Sequence, residues 1–301
     1  MRRRFPLAVL SLVLAAAACG GSEPDGALKV SGGFGGRPAI AFPAGGPPAE
    51  LKVQELVSGK GRVVGRDDLV VAQYTAHVWD GKDNRLLDSS FGRGAPGAFS
   101  LDGLIPGLGR ALSGHRAGSR VLAVIPPKDG FGPNPPDGMT SRDGLVYVVD
   151  VLGAFPPGAA ARGRGGSGEL AGVRIAVGTG GRPAVTLPAT PPPRALATKV
   201  LVRGDGPKVR PGRLLVTQYE GRLWRSGKVV DSSWAAGRPK AFRIGDGSVI
   251  AGWNRGLVGV PVGSRVAMVV PPGDGYGPRG VPGKIKGTDT LVFVVDVLGA
   301  F

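Results

Sequence analysis

VVDSSW, from Val229 to Trp234, restates LLDSSF, from Leu86 to Phe91. Each phrase has two apolar residues, Asp-Ser-Ser and an aromatic, and the two lie 143 residues apart. An Asp-Ser-Ser run suits a strand-end turn, because the carboxylate can accept its own backbone N–H groups. Working outward, the echo extends in both directions. Upstream, VAQYTAHVW (Val71–Trp79) returns as VTQYEGRLW (Val216–Trp224), and GGRPAI (Gly35–Ile40) as GGRPAV (Gly180–Val185). Downstream, LAVIPPKDGFGP (Leu122–Pro133) returns as AMVVPPGDGYGP (Ala267–Pro278), and LVYVVDVLGAF (Leu145–Phe155) as LVFVVDVLGAF (Leu291–Phe301). The offset stays between 143 and 146. One long unit is therefore duplicated in tandem with small loop changes, unlike the short period of a solenoid. The units span 28–155 and 172–301.

Residues 156–171, PPGAAARGRGGSGELA, separate the copies and carry almost nothing to bury. That composition predicts a flexible linker. Its RGRGG core has a weak likeness to RNA-binding RGG segments. The N-terminus weighs against nucleic acid as a partner. MRRRFPLAVLSLVLAAAAC has a basic start, an apolar stretch from about Leu7 to Leu14, and small residues before Cys19. This is the plan of an export signal, too short for a full transmembrane span. Cys19 is the only cysteine, and Ala16-Ala17-Ala18 before it resembles a bacterial lipobox, with Ala16 where leucine is usual. The expectation is a signal over 1–19, lipidation of Cys19, a tether over 20–27, and anchoring on the extracytoplasmic face of the cell membrane; the alternative is an ordinary secretory signal that includes Cys19 and is cleaved elsewhere. The export route stays open, since the Arg2–Arg4 run matches a twin-arginine signal only weakly. With one cysteine, no intrachain disulfide can form, and the fold must hold by its core.

The 301 residues suffice for two domains, and 42% are hydrophobic. The 54 glycines and 28 prolines, over a quarter of the chain and without a collagen period, imply many turns and short strands. The formal charge of +16 suits solubility and attraction to anionic envelope polymers or lipids. Apolar, β-branched and aromatic runs bounded by Gly, Pro and Asp clusters predict strands at LVVAQYTAHVW, SRVLAVIPP, LVYVVDVLGAF and their twins. IPGLGRALSG (Ile105–Gly114) and IAGWNRGLVG (Ile250–Gly259) each predict one short helix. Sheet segments interrupted by one helix make an α+β unit with the helix on one face. Each unit also opens with an extra piece, LKVSGGFGGRPAIAFP or VRIAVGTGGRPAVTLP, expected as an added β-hairpin or extended arm.

Standard catalytic sets are missing. The two histidines, His77 and His115, occupy non-matching positions, which excludes a duplicated His triad or zinc site. No P-loop or dinucleotide-binding turn occurs, and DGKDN (Asp80–Asn84) lacks the later ligands of a calcium loop, so it reads as a hairpin turn. What recurs is a set of aromatics and aliphatics with one Asp.

In the second unit, QYEGRLWRSGKVVDSSW, PKAFRIGDGSVIAGWNRGL, VGSRVAMVVPP, GDGYGPRGVPGKI and TLVFVVDVL follow in an order and spacing that resembles the FKBP-type peptidyl-prolyl cis-trans isomerases. The resemblance covers nearly all of 198–301. It implies two tandem FKBP-like domains, each a half-open antiparallel sheet wrapped around one short helix. It implies Trp253 as the pocket floor and Tyr219, Val230, Phe242, Val249, Ile250 and Phe293 around it. It further implies the Ile250 N–H and the Tyr276 hydroxyl as donors to substrate carbonyls, Asp231 beside the twisting imide, and Ile285 on a closing loop. The departures are Val230, where Phe is usual, and Lys240, where a second aromatic is common. Val281 and Lys284 also depart from common loop residues and bear on affinity for a macrolide inhibitor.

The first unit matches less well. Tyr74, Asp88, Phe99, Leu104, Ile105 and Tyr147 keep their places, while Leu87 replaces the usual Phe, Leu108 the Trp and Phe131 the Tyr. Its closing loop is one residue shorter and carries Met139. The resemblance thus implies a monomeric peptidyl-prolyl isomerase acting on proline-containing polypeptides and assisting exported proteins to fold. No metal or cofactor enters its chemistry. Domain 2 would be the principal catalyst and domain 1 weaker or binding-only. Two other classes remain: a non-catalytic tandem chaperone, whose two clefts would add avidity, and a solute-binding lipoprotein, which a loosely linked duplication disfavours.

Overall fold

The computed structural model describes residues 27–301, so the expected signal, Cys19 and most of the tether lie outside the described residues. The first unit comprises β1 (Lys29–Ser31), β2 (Ala39–Ala41), β3 (Lys52–Val57), β4 (Leu69–Trp79), β5 (Leu86–Ser89), β6 (Gly97–Ser100), α1 (Pro106–Leu112), β7 (Arg120–Ile125) and β8 (Gly144–Phe155). Its main sheet is antiparallel, ordered β3-β7-β8-β4-β5, with β6 also paired to β4. The helix lies against β7, and the core between helix and sheet includes Val70, Leu108, Leu112, Ile125 and Val149. A bulge between Val71 and Ala72 bends β4, the device by which a strand curls around a helix.

After the first unit come β9 (Arg164–Gly165), β10 (Gly168–Leu170), β11 (Val173–Val177), β12 (Pro183–Thr186), β13 (Ala197–Arg203), β14 (Leu214–Leu223), β15 (Val229–Ser232), β16 (Lys240–Arg243), α2 (Ala251–Leu257), β17 (Arg265–Val270) and β18 (Leu291–Ala300). The sheet order β15-β14-β18-β17-β13 repeats that of the first unit, β16 pairs with β14, and β9 adds a strand at the β13 edge. The fold is thus α+β, two like units in tandem, each an antiparallel sheet wrapped around one short helix, as the sequence implied.

The central strands are buried on both faces, which is why they read as continuous apolar runs rather than an alternation. β7 (RVLAVI) and β17 (RVAMVV) are buried at every position. The helix covers one face. The extra N-terminal piece covers the other: β1-β2 in the first unit and β10-β11-β12 in the second. Under it lie satellite cores built on Trp79, Leu122, Val146 and Val148, and on Trp224, Ala267, Val292 and Val294. Each tryptophan donates its Nε1–H to the arm's backbone, at Gly45 O (2.9 Å) and Thr190 O (3.0 Å).

A buried ion pair locks each arm. Arg120 meets Asp150 bidentately at 2.6 and 2.8 Å, with both side chains 1% exposed. The guanidinium also donates to Gly32 O and Gly36 O, and the Gly35 N–H donates to Asp150. Arg265 and Asp296 repeat this at 2.6 and 2.8 Å, with Gly181 O as acceptor at 2.5 Å. Such a pair is tolerable in a core because additional hydrogen bonds satisfy its remaining donors and acceptors. The matched GGRPA motifs and the matched Asp150 and Asp296 therefore belong to one device.

The stretch expected as a flexible linker is instead laid down along the second unit, and this corrects the sequence reading. The Ala161 N–H donates to Asp296 (2.9 Å), the Arg162 N–H to Gly263 O (2.9 Å), and Gln218 Nε2 to Pro157 O (2.7 Å). β9 pairs with β13 and β10 with β11. The glycines serve close approach rather than looseness. Gly165 has φ +124°, and a Cβ there would fall 2.1 Å from Leu201 O.

The two units also meet directly through matching residues. Leu69, Val71, Ala98, Leu152 and Phe155 of one pack with Leu214, Val216, Ala241, Leu298 and Phe301 of the other. The Phe155 and Phe301 rings stand edge to face at 6.0 Å. A Cβ on Gly153 would come 2.8 Å from Phe301, and one on Gly299 2.7 Å from Phe155. Arg238 reaches Asp102 across the junction at 3.1 Å.

Candidate functional site

In the second unit, β14, β15, β16, α2, the loop after β17 and β18 converge on a cavity of ≈ 140 Å³. Tyr219, Val230, Asp231, Phe242, Ser248, Val249, Ile250, Trp253, Tyr276 and Phe293 line it. Trp253 sits on the first turn of α2 and is 4% exposed. Three rings stand edge-on to it: Tyr219 at 5.2 Å, Phe242 at 5.3 Å and Phe293 at 5.6 Å. Edge-to-face packing of this kind fixes ring orientation. The floor is thus a rigid aromatic plate, and its indole N–H is buried without a partner among the described residues.

Polar groups gather at one side of this plate. The Tyr219 hydroxyl donates to Asp231, and Lys240 Nζ donates to the same hydroxyl (3.2 Å) and to Asp231 (3.3 Å). The ammonium also lies 5.5 Å from the Tyr219 ring centroid. Burial opposes ionisation of Asp231, but the Tyr219 hydrogen bond and the Lys240 charge outweigh it and hold the carboxyl below its ordinary value. Burial, followed by the nearby carboxylate of Asp231, raises the Tyr276 phenol. Tyr276 therefore stays protonated at neutral pH, and it is 44% exposed at the rim. Ile250 immediately precedes α2, and its carbonyl accepts the Trp253 N–H at 3.0 Å.

Of the residues expected in this pocket, Ile285 is absent from its wall. It is 7% exposed and packs into the core, bridged to Val281. Ser248 joins the lining without having been expected, because the loop before α2 is two residues longer than in the first unit. Lys240, where the family commonly has an aromatic, places its ammonium over the Tyr219 ring.

The first unit holds a cavity of ≈ 100 Å³ lined by Ala72, Tyr74, Asp88, Phe99, Leu104, Leu108, Leu112, Tyr147 and Val149. The Tyr74 hydroxyl donates to Asp88 at 2.5 Å. Arg93 bonds both, at 2.7 Å to the Tyr74 hydroxyl, and stacks 5.4 Å from its ring. Arg93 and Lys240 thus bring a cation to the same Tyr–Asp pair from different chain positions. Sequence reasoning did not assign Arg93, since a lone arginine in a Gly-rich loop gives no signal. Leu87, Ile105, Phe131 and Met139, expected here by equivalence, pack against the core and stay off the cavity wall.

A larger cavity, ≈ 530 Å³, lies behind the first sheet between the arm and Trp79, Leu122 and Val124. No cluster of three or more metal-ligating side chains occurs among the described residues.

The family model for the FKBP-type peptidyl-prolyl cis-trans isomerase matches residues 60–152 and again 206–298. The FK506-binding protein of Streptomyces anulatus is 39% identical over 118 residues, 39% of this chain and 95% of that protein. Peptidyl-prolyl cis-trans isomerase FPR2 of Saccharomyces cerevisiae is 43% identical over 91 residues, 30% of this chain and 67% of that protein. Among solved structures, FkpA from Escherichia coli is 32% identical, with a TM-score of 0.33. The match covers 37% of this chain and about half, 52%, of FkpA.

Proposed function

The chain belongs to the FKBP-type peptidyl-prolyl cis-trans isomerase family, and from that premise we propose that its second domain is the principal isomerase and its first domain a weaker or binding-only site. The carrying observation is the aromatic box around Trp253, with Tyr276 at its rim, which the first domain lacks.

An X-Pro bond prefers trans by only about 0.5–1 kcal/mol, yet exchanges in tens to hundreds of seconds. The obstacle is amide resonance, with a barrier of roughly 18–20 kcal/mol. Twisting the bond breaks that resonance and reduces charge separation. An apolar floor and walls therefore favour the twisted state over the planar one, and donors set for the twisted geometry add differential binding. Trp253, Phe242 and Phe293 receive the pyrrolidine ring. The Ile250 N–H and the Tyr276 O–H hold the flanking carbonyls. Asp231, already taken by Tyr219 and Lys240, sits beside the imide as an oriented charge. No nucleophile enters the reaction.

The remaining parts of the proposal concern context. Cys19 carries a lipid, the chain is anchored on the extracytoplasmic face of the cell membrane, and it works there as a monomer on proline-containing segments of exported proteins. A macrolide inhibitor would occupy the same box. The test is a protease-coupled proline isomerisation assay on the full chain, with Trp253→Leu and Tyr276→Phe in one domain and Leu108→Ala in the other. Losses confined to the second-domain variants support the ranking, and equal losses in both domains overturn it. Aggregation suppression that survives every variant, without isomerase activity in the wild type, would assign the chain to the chaperone class instead.

A further inference from the structure

The two pockets differ in shape more than in volume. In the second domain Trp253 closes the bottom, and Thr217, Leu257 and Val295 beneath it are fully buried and off the cavity wall. In the first domain Leu108 stands in the Trp253 place, and the cavity extends to Ala72, Leu112 and Val149, the counterparts of those three residues. At the rim the relation reverses. Val230, Ile250 and Tyr276 line the second cavity, whereas Leu87, Ile105 and Phe131 do not line the first. One pocket is a wide, shallow box and the other a narrow, deep slot.

A shallow box with rim donors fits a flat ring held by its flanking carbonyls. A deep apolar slot fits a side chain that reaches inward from Cβ. Its ≈ 100 Å³ is on the scale of the ~150 Å³ apolar cavity that admits benzene. The hydroxyl has also moved. Tyr147 replaces Phe293 on the wall, while Phe131 replaces Tyr276 at the rim. Tyr74 already spends its hydroxyl on Asp88, but the Tyr147 hydroxyl makes no hydrogen bond to another described residue. It is a donor available to a backbone carbonyl at the slot.

We propose that the first-domain pocket is a receptor for a bulky non-proline apolar side chain, leucine or phenylalanine, in an extended segment. Ala72, Leu108, Leu112 and Val149 form its base, and Tyr147 is the donor to the segment's backbone. This rests on the reading of domain 1 as a binding site and names what it binds. The chain then recognises two features of an unfolded client, an exposed apolar side chain in one domain and a proline in the other.

The test is a titration of the full chain with proline-free glycine-rich pentapeptides carrying Phe, Leu or Ala at the centre, read by methyl NMR. The expected result is that Phe and Leu peptides shift the Leu108, Leu112 and Val149 methyls and bind at least tenfold more tightly than the Ala peptide. Leu108→Trp should fill the slot and weaken the Phe peptide at least tenfold, and Tyr147→Phe should weaken it severalfold. If Leu108→Trp does not fold, Trp253→Leu gives the reciprocal reading, with Phe-peptide shifts appearing at Leu257 and Val295. Equal binding of Phe and Ala peptides, shifts confined to Val249 and Ile250, or tighter first-domain binding by a prolyl peptide would each overturn the proposal. The isomerase assay is scored separately, so its failure would remove the catalytic assignment of domain 2 and leave this titration intact.

Discussion

Replacing Trp253 with leucine gives the second domain the floor of the first, and its effects can be worked from the packing. Trp253 makes three edge-to-face contacts, with Tyr219, Phe242 and Phe293 at 5.2, 5.3 and 5.6 Å. Each such pair contributes about 0.5–1.5 kcal/mol beyond its area burial. Against this, the indole N–H is buried without a partner among the described residues, a condition that costs roughly 1–3 kcal/mol. Leucine removes both the contacts and the orphaned donor, so the net loss of stability should be modest, about 1–3 kcal/mol. Catalysis has no such compensation. The proline ring loses its flat floor, and losing about 1–2 kcal/mol of differential binding corresponds to a roughly 5–30-fold fall in kcat/KM. The measurements are a urea melt of the full chain and a protease-coupled proline isomerisation assay. Activity within twofold of wild type, in a variant that melts normally, would refute the view that this plate organises the reaction.

Four further outcomes follow from the same geometry. Tyr276→Phe should lower kcat by about five- to tenfold, the low end of the cost of a lost donor because the residue is half exposed, with unfolding little changed. Asp296→Ala should cost about 3–5 kcal/mol, since it leaves Arg265 as an uncompensated buried charge; a loss under 1 kcal/mol in a chemical melt would contradict the lock. The same variant should expose Arg162 and Arg164 to limited trypsin digestion, and the wild type should resist it because that segment is hydrogen-bonded to Asp296 and Gly263. Asp231 is held below its ordinary carboxyl value, so its contribution to stability is complete above about pH 4 and is lost as the pH falls through the depressed folded value. Thermal melts of Asp231→Asn should therefore parallel wild type above that pH and show a shallower acid loss below it.

Much of this was legible in the sequence because a duplication prints each decisive residue twice. The repeated VVDSSW and LVFVVDVL phrases marked the duplication and the strands, and the family resemblance they carry named residues that line the second pocket, whereas the Tyr219–Asp231 hydrogen bond emerges only from the packed structure. What escaped notice depends on distance in space rather than on residue type. Glycines in 156–171 read as slack, but a glycine that lets strands approach and one that loosens a chain are the same letter. Ile285 was assigned to a lid by its loop, although its side chain turns into the core. The depth of the first pocket was hidden because Leu108 for Trp reads locally as a lost floor. Only the packed structure shows that Ala72, Leu112 and Val149 become reachable.

The comparison of the two copies separates what holds them together from what they bind. At the junction the chain repeats itself, with Leu69 and Leu214, Val71 and Val216, and Phe155 and Phe301 meeting their own counterparts. Any change there is felt on both sides, since each phenylalanine packs where the other copy's glycine leaves no room for a Cβ. The pockets carry no such mutual constraint. Trp253 and Leu108 each pack into the core cluster of their own domain. The floors could therefore diverge into a box and a slot while the junction kept both in fixed relation. A flexible tether would let the two sites sample a client independently. On the binding reading proposed above, a packed junction predicts one preferred separation between a client's apolar side chain and its proline, which titration with peptides of varied spacing would measure.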